Sequence, residues 1–176
     1  MIRGEFVNLR AVERHDARDL YDLLNDEETL LGWGMAGDVH SLARVQSEIE
    51  DWLDEERRQG RPVTLVIETM DGRFAGLILI RSGRAIQRMI ELSLVVAPAE
   101  RARGFATDAL ATLLDIAFDE WNLDRVQLRC EAGNVRAIAL YEKLGLVREA
   151  TLRDATYSGG VYTDQLLYAR VRSDVP

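Results

Sequence analysis

The stretch that decides the fold is PAERARGFATDALATLL, from Pro98 to Leu114. It follows IELSLVV (Ile90–Val96), an apolar run rich in β-branched residues that predicts a strand ending before the proline. Apolar residues then recur at helical spacing, which predicts a helix from about Gly104 to Trp121. The sequence therefore places a short loop containing two arginines between a strand and the start of a helix.

The start of this helix has the features of an anion site. The first N–H groups of a helix have no partner within it, and the helix dipole adds positive potential at the same end. Arg101 and Arg103 add fixed positive charge beside it. Gly104 allows a ligand close to the backbone, and Ala106 keeps the next turn small. We expect a phosphate or pyrophosphate here, although the loop has neither the P-loop lysine and hydroxyl residue nor the full dinucleotide glycine spacing.

The composition suits one globular domain over residues 1–176 in the cytoplasm. A net charge of −8 disfavours nucleic acid and anionic membranes as partners and slightly favours cationic ones, although the same acidity would also serve solubility alone. The lone cysteine, Cys130, excludes an intramolecular disulfide, and no histidine and cysteine spacing indicates a metal site. No apolar run has the length of a membrane span or the form of a targeting segment.

The order of predicted elements is β, α, α, β, β, β, α, β, α, β, β, which fits a mixed sheet flanked by helices. Asp71-Gly72 predicts a tight hairpin between two of the strands. LLGWGMAGDVH (Leu30–His40), between the first two helices, is predicted as a glycine-rich loop. His40, near a helix start, is expected at the surface or in a cap.

Two elements together resemble the acetyl-CoA signature of the GNAT N-acetyltransferase superfamily. Arg101-x-x-Gly104-x-Ala106 is similar to its pyrophosphate loop. EAGNVRAIALYEKLGL (Glu131–Leu146) resembles its Asn…Ala…Tyr-Glu-Lys-x-Gly-Phe helix, with leucine at the end where phenylalanine is usual. FVNLRAVERHDARDLYDLLND near the start and REATLRDATYSGGVYTDQLLYA near the end resemble the branch of ribosomal-protein N-terminal and spermidine N-acetyltransferases. The resemblance implies a single GNAT-like α/β domain, with a mixed, mostly antiparallel sheet of about seven strands and about four helices.

The resemblance also implies acetyl-CoA as cosubstrate. Its pyrophosphate would lie on the amides of the loop, and its pantetheine arm beside the preceding strand, where that strand separates from its neighbour. We expect a backbone N–H around Val95 or Val96 to polarise the thioester carbonyl. Asn134 is also expected to cap the helix that follows it. The expected cofactor-binding residues are Leu94, Val95, Val96, Arg101, Arg103, Gly104, Phe105, Ala106, Thr107, Asn134, Ala137 and Lys143.

Tyr141 is the predicted general acid. It follows Asn134 by seven residues, which places both on one helix face, and the matching tyrosine of the family sits near the thioester sulfur. A neutral phenol with a pKa of about 10 can protonate a departing thiolate whose pKa is about 8 to 9. The alternative is a half-buried tyrosine that only packs against its neighbours.

Glu91 is the predicted base that removes the proton of an amine acceptor. It interrupts an apolar strand on the same face as Ser93, and a carboxylate in such a place must be paired, hydrated or functional. The alternative is a solvated face or a structural ion pair with an arginine such as Arg88. The resemblance implies that Trp33 and Met35 line the acceptor pocket, and the alternative is that they fold into the core; Ser93 is also expected to line the pocket.

These residues predict an N-acetyltransferase that acts on a primary amine of a small molecule or of a peptide N-terminus. The amine would attack the thioester directly in a ternary complex, without a covalent enzyme intermediate or a metal. The alternative function is a catalytically silent acyl-CoA-binding sensor or assembly module. Family resemblance also implies a homodimer.

Overall fold

An eight-stranded sheet organises the computed structural model, which describes residues 1–33, 35, 37–82 and 88–174. The strands are β1 (Ile2–Arg3), β2 (Val7–Ala11), β3 (Thr64–Thr69), β4 (Phe74–Ser82), β5 (Met89–Val96), β6 (Arg125–Glu131), β7 (Val147–Ser158) and β8 (Val161–Val171). Their order across the sheet is β1-β2-β3-β4-β5-β6-β8-β7. All neighbours run antiparallel except β5 and β6, which are parallel. The sheet is therefore mixed and mostly antiparallel, as expected.

Helices accompany the sheet on both faces. They are α1 (Ala17–Leu24), α2 (Glu27–Gly32), α3 (Leu42–Gln59), α4 (Phe105–Asp115) and α5 (Val135–Lys143), and α4 continues as a π-helical turn over Ile116–Glu120. No helix in the described part of the chain is long and apolar enough to cross a membrane.

The described residues contain eight strands and five helices, which agrees with the expected fold of about seven strands and about four helices and adds the two-residue β1 and the helix α2. Asp26 caps α2, because its carboxylate accepts hydrogen bonds from the N–H and the hydroxyl of Thr29. A helix of six residues is too short to show an apolar period, so its first residues were not recognised and Leu30 was assigned to the loop. Gly34 and Ala36, in the same predicted loop, lie outside the described residues.

Each face of the sheet buries its own apolar core. Ile90 and Leu92 of β5 belong to the core that includes α4, whereas Val95 belongs to the core formed with α1 and α3. Side chains alternate between faces along a strand. Glu91 and Ser93 therefore point to the α3 face of the sheet.

The two parallel strands separate at their carboxyl ends. Pairing between β5 and β6 begins at Met89 with Arg125 and ends at Leu92 with Leu128. Both strands continue, β5 to Val96 and β6 to Glu131, without pairing to each other. This confirms the expected separation and creates an opening in the middle of the sheet.

Candidate active site

A cavity of about 650 Å³ lies at this opening, between the start of α4 and the start of α5. The expected cofactor residues that line it are Leu94, Val95, Val96, Arg101, Gly104, Phe105, Ala106, Thr107, Asn134 and Ala137, and Tyr141 lines it as well. Arg103 and Lys143 do not line it. The Arg103 guanidinium instead donates to Glu100 at 3.0 Å, and Lys143 is exposed in the last turn of α5.

The first turn of α4 forms a cradle that fits a phosphate. Gly104 is its N-cap residue with a φ of +83°, and no side chain caps the helix. The N–H groups of the first turn are therefore left for a ligand. A Cβ at Gly104 would meet no protein atom within 4 Å, so the space beside this backbone is open. The backbone thus offers the anion site that the sequence predicts.

Arg101 is held more tightly than the sequence suggests. Its Nε donates to the carbonyl of Val96 at 3.1 Å, and its Nη2 lies 3.1 Å from Asp26 Oδ2 and 3.0 Å from Thr29 Oγ1. It also pairs with Glu28. Burial opposes ionisation of Asp26, but hydrogen bonds from Thr29 and Arg101 outweigh it and keep the pKa of Asp26 below its ordinary value. Arg101 therefore ties α2 to the end of β5, and carboxylates already balance its charge.

Sequence reasoning missed three charged residues of this cavity, Glu28, Glu100 and Arg136. Glu28 Oε1 accepts a hydrogen bond from Arg136 Nη1 at 3.0 Å, so one carboxylate joins α2 to the first turn of α5. Arg136 could have been found from the sequence, because it lies two residues after the predicted cap Asn134 and therefore in the exposed first turn of the helix. Glu28 could not be placed because α2 was not recognised.

The backbone of β5 presents alternate N–H groups to the opening. The N–H of Ala97 donates to Ala75 O at 2.8 Å, and hydrogen-bonded pairs alternate along an antiparallel ladder. The N–H of Val95 is therefore directed at β4. Those of Leu94 and Val96 face the opening left by β6. Of the two expected oxyanion donors, Val95 and Val96, only Val96 has an N–H that faces the opening. The N–H of Leu94 faces the opening as well.

Tyr141 lies buried in the wall of the first cavity, where the cosubstrate is expected, with 7% of its surface exposed. Its hydroxyl makes a long contact of 3.5 Å with the carbonyl of Arg129, and its ring packs edge-on against Tyr168 at 5.5 Å. Burial raises the pKa of Tyr141 above its ordinary value, with a smaller contribution from Cys130. The phenol therefore keeps its proton at neutral pH and holds it in only a weak hydrogen bond.

A second cavity of about 400 Å³ lies on the α3 face of the sheet. Trp33, Met35 and Ser93, the expected acceptor residues, all line it together with Glu91. Gly32 and Trp33 line both cavities, so the two spaces meet at the end of α2.

Glu91 is paired, but not with Arg88. Its Oε2 accepts from Gln127 Nε2 at 2.7 Å and lies 3.4 Å from Arg129 Nη2, whereas Arg88 pairs with Asp124 at 3.3 Å. The suggested Arg88 partner was wrong because Gln127 and Arg129 reach Glu91 from the adjacent strand β6. Both contacts use Oε2, and Oε1 has no protein partner among the described residues. Arg129 thus contacts the predicted base through its side chain and the predicted acid through its carbonyl.

His40 and Cys130 also line this second cavity. The surface position expected for His40 was wrong, since only 2% of the residue is exposed and Asn25 holds its backbone through two hydrogen bonds. Neither ring nitrogen has a partner in the part of the chain that the structure describes. Burial raises the pKa of the Cys130 thiol to about 11, so this thiol stays protonated and is a poor nucleophile at neutral pH.

Comparisons with known proteins agree with this geometry. A family model described as "Acetyltransferase (GNAT) domain" matches residues 7–147. The spermidine N(1)-acetyltransferase of Vibrio cholerae is 27% identical over 158 residues, which cover 90% of this chain and 88% of that protein. The "Putative ribosomal N-acetyltransferase YdaF" of Bacillus subtilis is 27% identical over 176 residues, which cover 97% and 94%.

Solved structures share the fold over nearly the whole chain. The spermidine N-acetyltransferase from Vibrio cholerae in complex with CoA and spermine has a TM-score of 0.83 at 25% identity and covers 96% of both chains. An acetyltransferase of the GNAT family from Bacillus anthracis has a TM-score of 0.85 at 18% identity and covers 98% of both, which shows similarity of fold. The predicted fold class, acetyl-CoA as cosubstrate and the enzymatic activity are confirmed, and no comparison favours a silent binding module. This chain belongs to the GNAT acetyltransferase family and is an acetyl-CoA-dependent N-acetyltransferase.

Proposed function

We propose that this enzyme transfers the acetyl group from acetyl-CoA directly to a primary amine held in the second cavity. The observation that carries the proposal is that the two cavities meet at Gly32 and Trp33, beside the opening between β5 and β6. Two ligands bound there would lie side by side, which suits direct attack in a ternary complex. The cosubstrate supplies an activated acetyl thioester.

Backbone N–H groups supply most of the contacts that bind the cosubstrate. The free N–H groups at the start of α4 bind the pyrophosphate, with Gly104 allowing its close approach. The N–H groups of Leu94 and Val96 face the opening, where one of them stabilises negative charge on the thioester oxygen. These donors are fixed by the β4–β5 ladder, so they need no rearrangement when charge develops.

Tyr141 and Glu91 divide the proton transfers between them. A protonated acceptor amine cannot attack, and the free Oε1 of Glu91 accepts its proton directly or through a water. Tyr141 then donates its phenolic proton to the departing thiolate. Arg129, which contacts both residues, fixes the distance between them and is a positioning residue. The buried thiol of Cys130 takes no part.

The acceptor is a primary amine of a small molecule or of a peptide N-terminus. A space of about 400 Å³ is within the usual range for small-molecule sites, which is roughly 300 to 1,000 Å³. Three acidic residues line the cavity, Glu48, Glu91 and Glu131, and three arginines balance them. The overall charge of −8 is therefore not concentrated at the acceptor site.

Thiol release from acetyl-CoA tests the proposal. Purified enzyme is assayed with polyamines, aminoglycosides, free amino acids and short peptides, and turnover is expected with at least one class. Glu91→Gln should lower kcat/KM by about 100-fold at pH 7. The loss should shrink as the pH rises, because the amine then loses its proton without help.

Glu50→Gln is the matched control, since Glu50 is an exposed carboxylate on α3 that pairs with Arg14 and lies outside both cavities. Its kinetics should equal those of the wild type. Saturable acetyl-CoA binding without turnover on any class would contradict the proposed transfer. An unaltered pH profile in Glu91→Gln would reduce Glu91 to a structural ion pair.

We also propose that the enzyme is a homodimer in the cytoplasm. Strand β7 supports the dimer, because it is the last strand in the sheet order and carries exposed Val147 and Tyr157. The lone buried thiol is compatible with a reducing compartment. Sedimentation at micromolar concentration should give twice the chain mass of 19.9 kDa, and a monomer would contradict the dimer.

A further inference from the structure

Four of the six charged side chains around the acceptor cavity pair with one another. Arg44 donates to Glu48 at 3.0 Å, and Arg129 lies 3.4 Å from Glu91. The two that remain belong to Arg81 and Glu131. Arg81 has no carboxylate partner among the described residues, and residues 83–87 next to it include no acidic side chain.

Glu131 supplies the complementary negative charge. Its Oε1 is buried and has no hydrogen-bond partner in the described part of the chain. A buried polar atom without a partner is costly, so this carboxylate oxygen calls for a partner that enters the cavity, a ligand or a water. The cavity therefore presents one positive and one negative side chain that are not compensated by neighbours.

Arg81 is a solvent-exposed residue of the acceptor cavity and is the cross-strand neighbour of the predicted base. It is the register partner of Glu91 in the β4–β5 ladder, so both side chains are on the same face of the sheet. Its Nη1 lies 3.4 Å from Ser93 Oγ. Ser93 is the first residue of β5 after pairing with β6 ends, which is where an acceptor amine must approach.

We propose that the acceptor is a small zwitterion, an amine with a carboxylate a few bonds away, and that Arg81 binds this carboxylate. The inference rests on the proposed transfer to an amine in this cavity. A guanidinium pairs with a carboxylate through parallel hydrogen bonds, and it repels a second ammonium group at the same place. Arg81 therefore selects amino-acid-like acceptors and disfavours polyamines. A free amino acid and an acidic residue at a peptide N-terminus share this chemistry.

Alanine and alaninamide form the decisive substrate pair, because alaninamide carries an uncharged amide in place of the carboxylate. The kcat/KM of alanine should exceed those of alaninamide and spermidine by about tenfold or more, the usual value of a charge-assisted hydrogen bond. The amide's amine has the lower pKa, which would favour it as a nucleophile, so the expected preference does not arise from amine reactivity. Peptides that begin with aspartate are compared with peptides that begin with asparagine, which lack the side-chain carboxylate. A preference for the aspartate peptides, over asparagine peptides and over free alanine, would identify a peptide N-terminus as the source of the carboxylate.

Arg81→Gln should reduce the alanine to alaninamide ratio to about one, and Arg81→Lys should restore part of it. Arg57→Gln is the control, because Arg57 is an exposed arginine of α3 outside the cavity, and the ratio should stay at the wild-type value. Thermal unfolding of each variant confirms that it folds. Preferred turnover of spermidine by the wild type, or an unchanged ratio in Arg81→Gln, would overturn the inference.

Binding to the CoA-saturated enzyme separates this inference from the proposed function. Calorimetric titration with alanine and alaninamide needs no turnover. Tighter binding of alanine that is lost in Arg81→Gln supports the zwitterion site even if no acetyl group is transferred. Equal binding of the two ligands overturns it even if transfer to some amine is observed.

Discussion

Replacing Tyr141 by phenylalanine removes one hydroxyl from the cofactor cavity and leaves the ring in place. The only hydrogen-bond contact of that hydroxyl within the described residues is the 3.5 Å approach to the carbonyl of Arg129, at the limit of a hydrogen bond. The buried ring and its edge contact with Tyr168 persist. We therefore expect the free energy of unfolding to change by less than about 1 kcal/mol.

The kinetic cost of this substitution should be much larger. Loss of a general acid typically lowers the rate by about 10²- to 10⁴-fold, and 100-fold corresponds to about 2.7 kcal/mol of activation free energy. The effect should appear in kcat, with little change in the dissociation constant of acetyl-CoA. Because burial raises the pKa of Tyr141, its neutral form persists above the ordinary phenol pKa of about 10. No alkaline loss of activity from this group is expected below that pH.

Tyr168→Phe is the matched control in the thiol-release assay. Tyr168 is buried against Tyr141, its hydroxyl bonds to Glu142 at 3.1 Å, and it lies outside the lining of both cavities. Its kcat should stay at the wild-type value. A Tyr141→Phe enzyme that keeps more than about a tenth of kcat would refute the acid role and favour the packing alternative. An equal loss in both variants would trace the effect to packing of the tyrosine pair.

Three further substitutions test the cradle, the ladder and the fold. In Gly104→Ala, an alanine held at a φ of +83° is strained by about 1 kcal/mol, and its methyl group enters the space expected for the phosphate. The acetyl-CoA dissociation constant measured by calorimetry should therefore rise about tenfold. An unchanged dissociation constant would show that the pyrophosphate does not bind at this turn. In Gly76→Ala, the new Cβ would clash with the carbonyl oxygen of Val95, so β5 must shift. Denaturant unfolding should show that the free energy of unfolding falls by about 1 to 3 kcal/mol. Wild-type stability in this variant would contradict the close approach of β5 to Gly76. Asp16→Asn should cost about 3 kcal/mol at pH 7, because the Asp16 side chain is 1% exposed and bonds Arg10 at 2.7 and 2.9 Å. Burial opposes the ionisation of Asp16, but hydrogen bonds from Arg10 and Glu13 outweigh it, so the pKa of Asp16 is lowered in the folded state. The contribution of Asp16 to stability is therefore fully present above its unfolded-state pKa of about 3.9 and is lost as the pH falls through its folded-state pKa. A gap between wild type and Asp16→Asn that stays constant down to pH 2 would contradict this account.

The two helix starts that border the first cavity could be predicted from the sequence because they are made of local signals. The helix start at Gly104 and the Asn134 cap each depend on a few consecutive residues. The Asn134 side chain does accept from the N–H of Ala137 at 3.1 Å. A strand that ends at Val96 before a proline also marks where the backbone leaves its ladder. Local rules therefore predicted an anion site at this helix start with no knowledge of the sheet order, and the family resemblance supplied the identity of the cosubstrate.

The acceptor site depended on contacts that the sequence does not reveal. The partners of Glu91 are Gln127 and Arg129, which come from β6, whereas Arg88 is closer in the sequence and turns to Asp124. Only the parallel pairing of β5 with β6 brings these groups together. The burial of His40 likewise depends on Asn25, fifteen residues earlier, rather than on its own neighbours.

Acceptor selectivity therefore depends on strand register more than on charge composition. The β4–β5 register places Arg81 opposite Glu91, and the β5–β6 register places Glu91 opposite Gln127. A shift of one residue would turn the Glu91 side chain to the other face of the sheet. A shift of two residues between β4 and β5 would keep Arg81 on the same face but would no longer place it opposite Glu91. The charge that reaches the acceptor is thus what remains after pairing within α3 and between β5 and β6, which is why a chain with a net charge of −8 can present an arginine to its substrate.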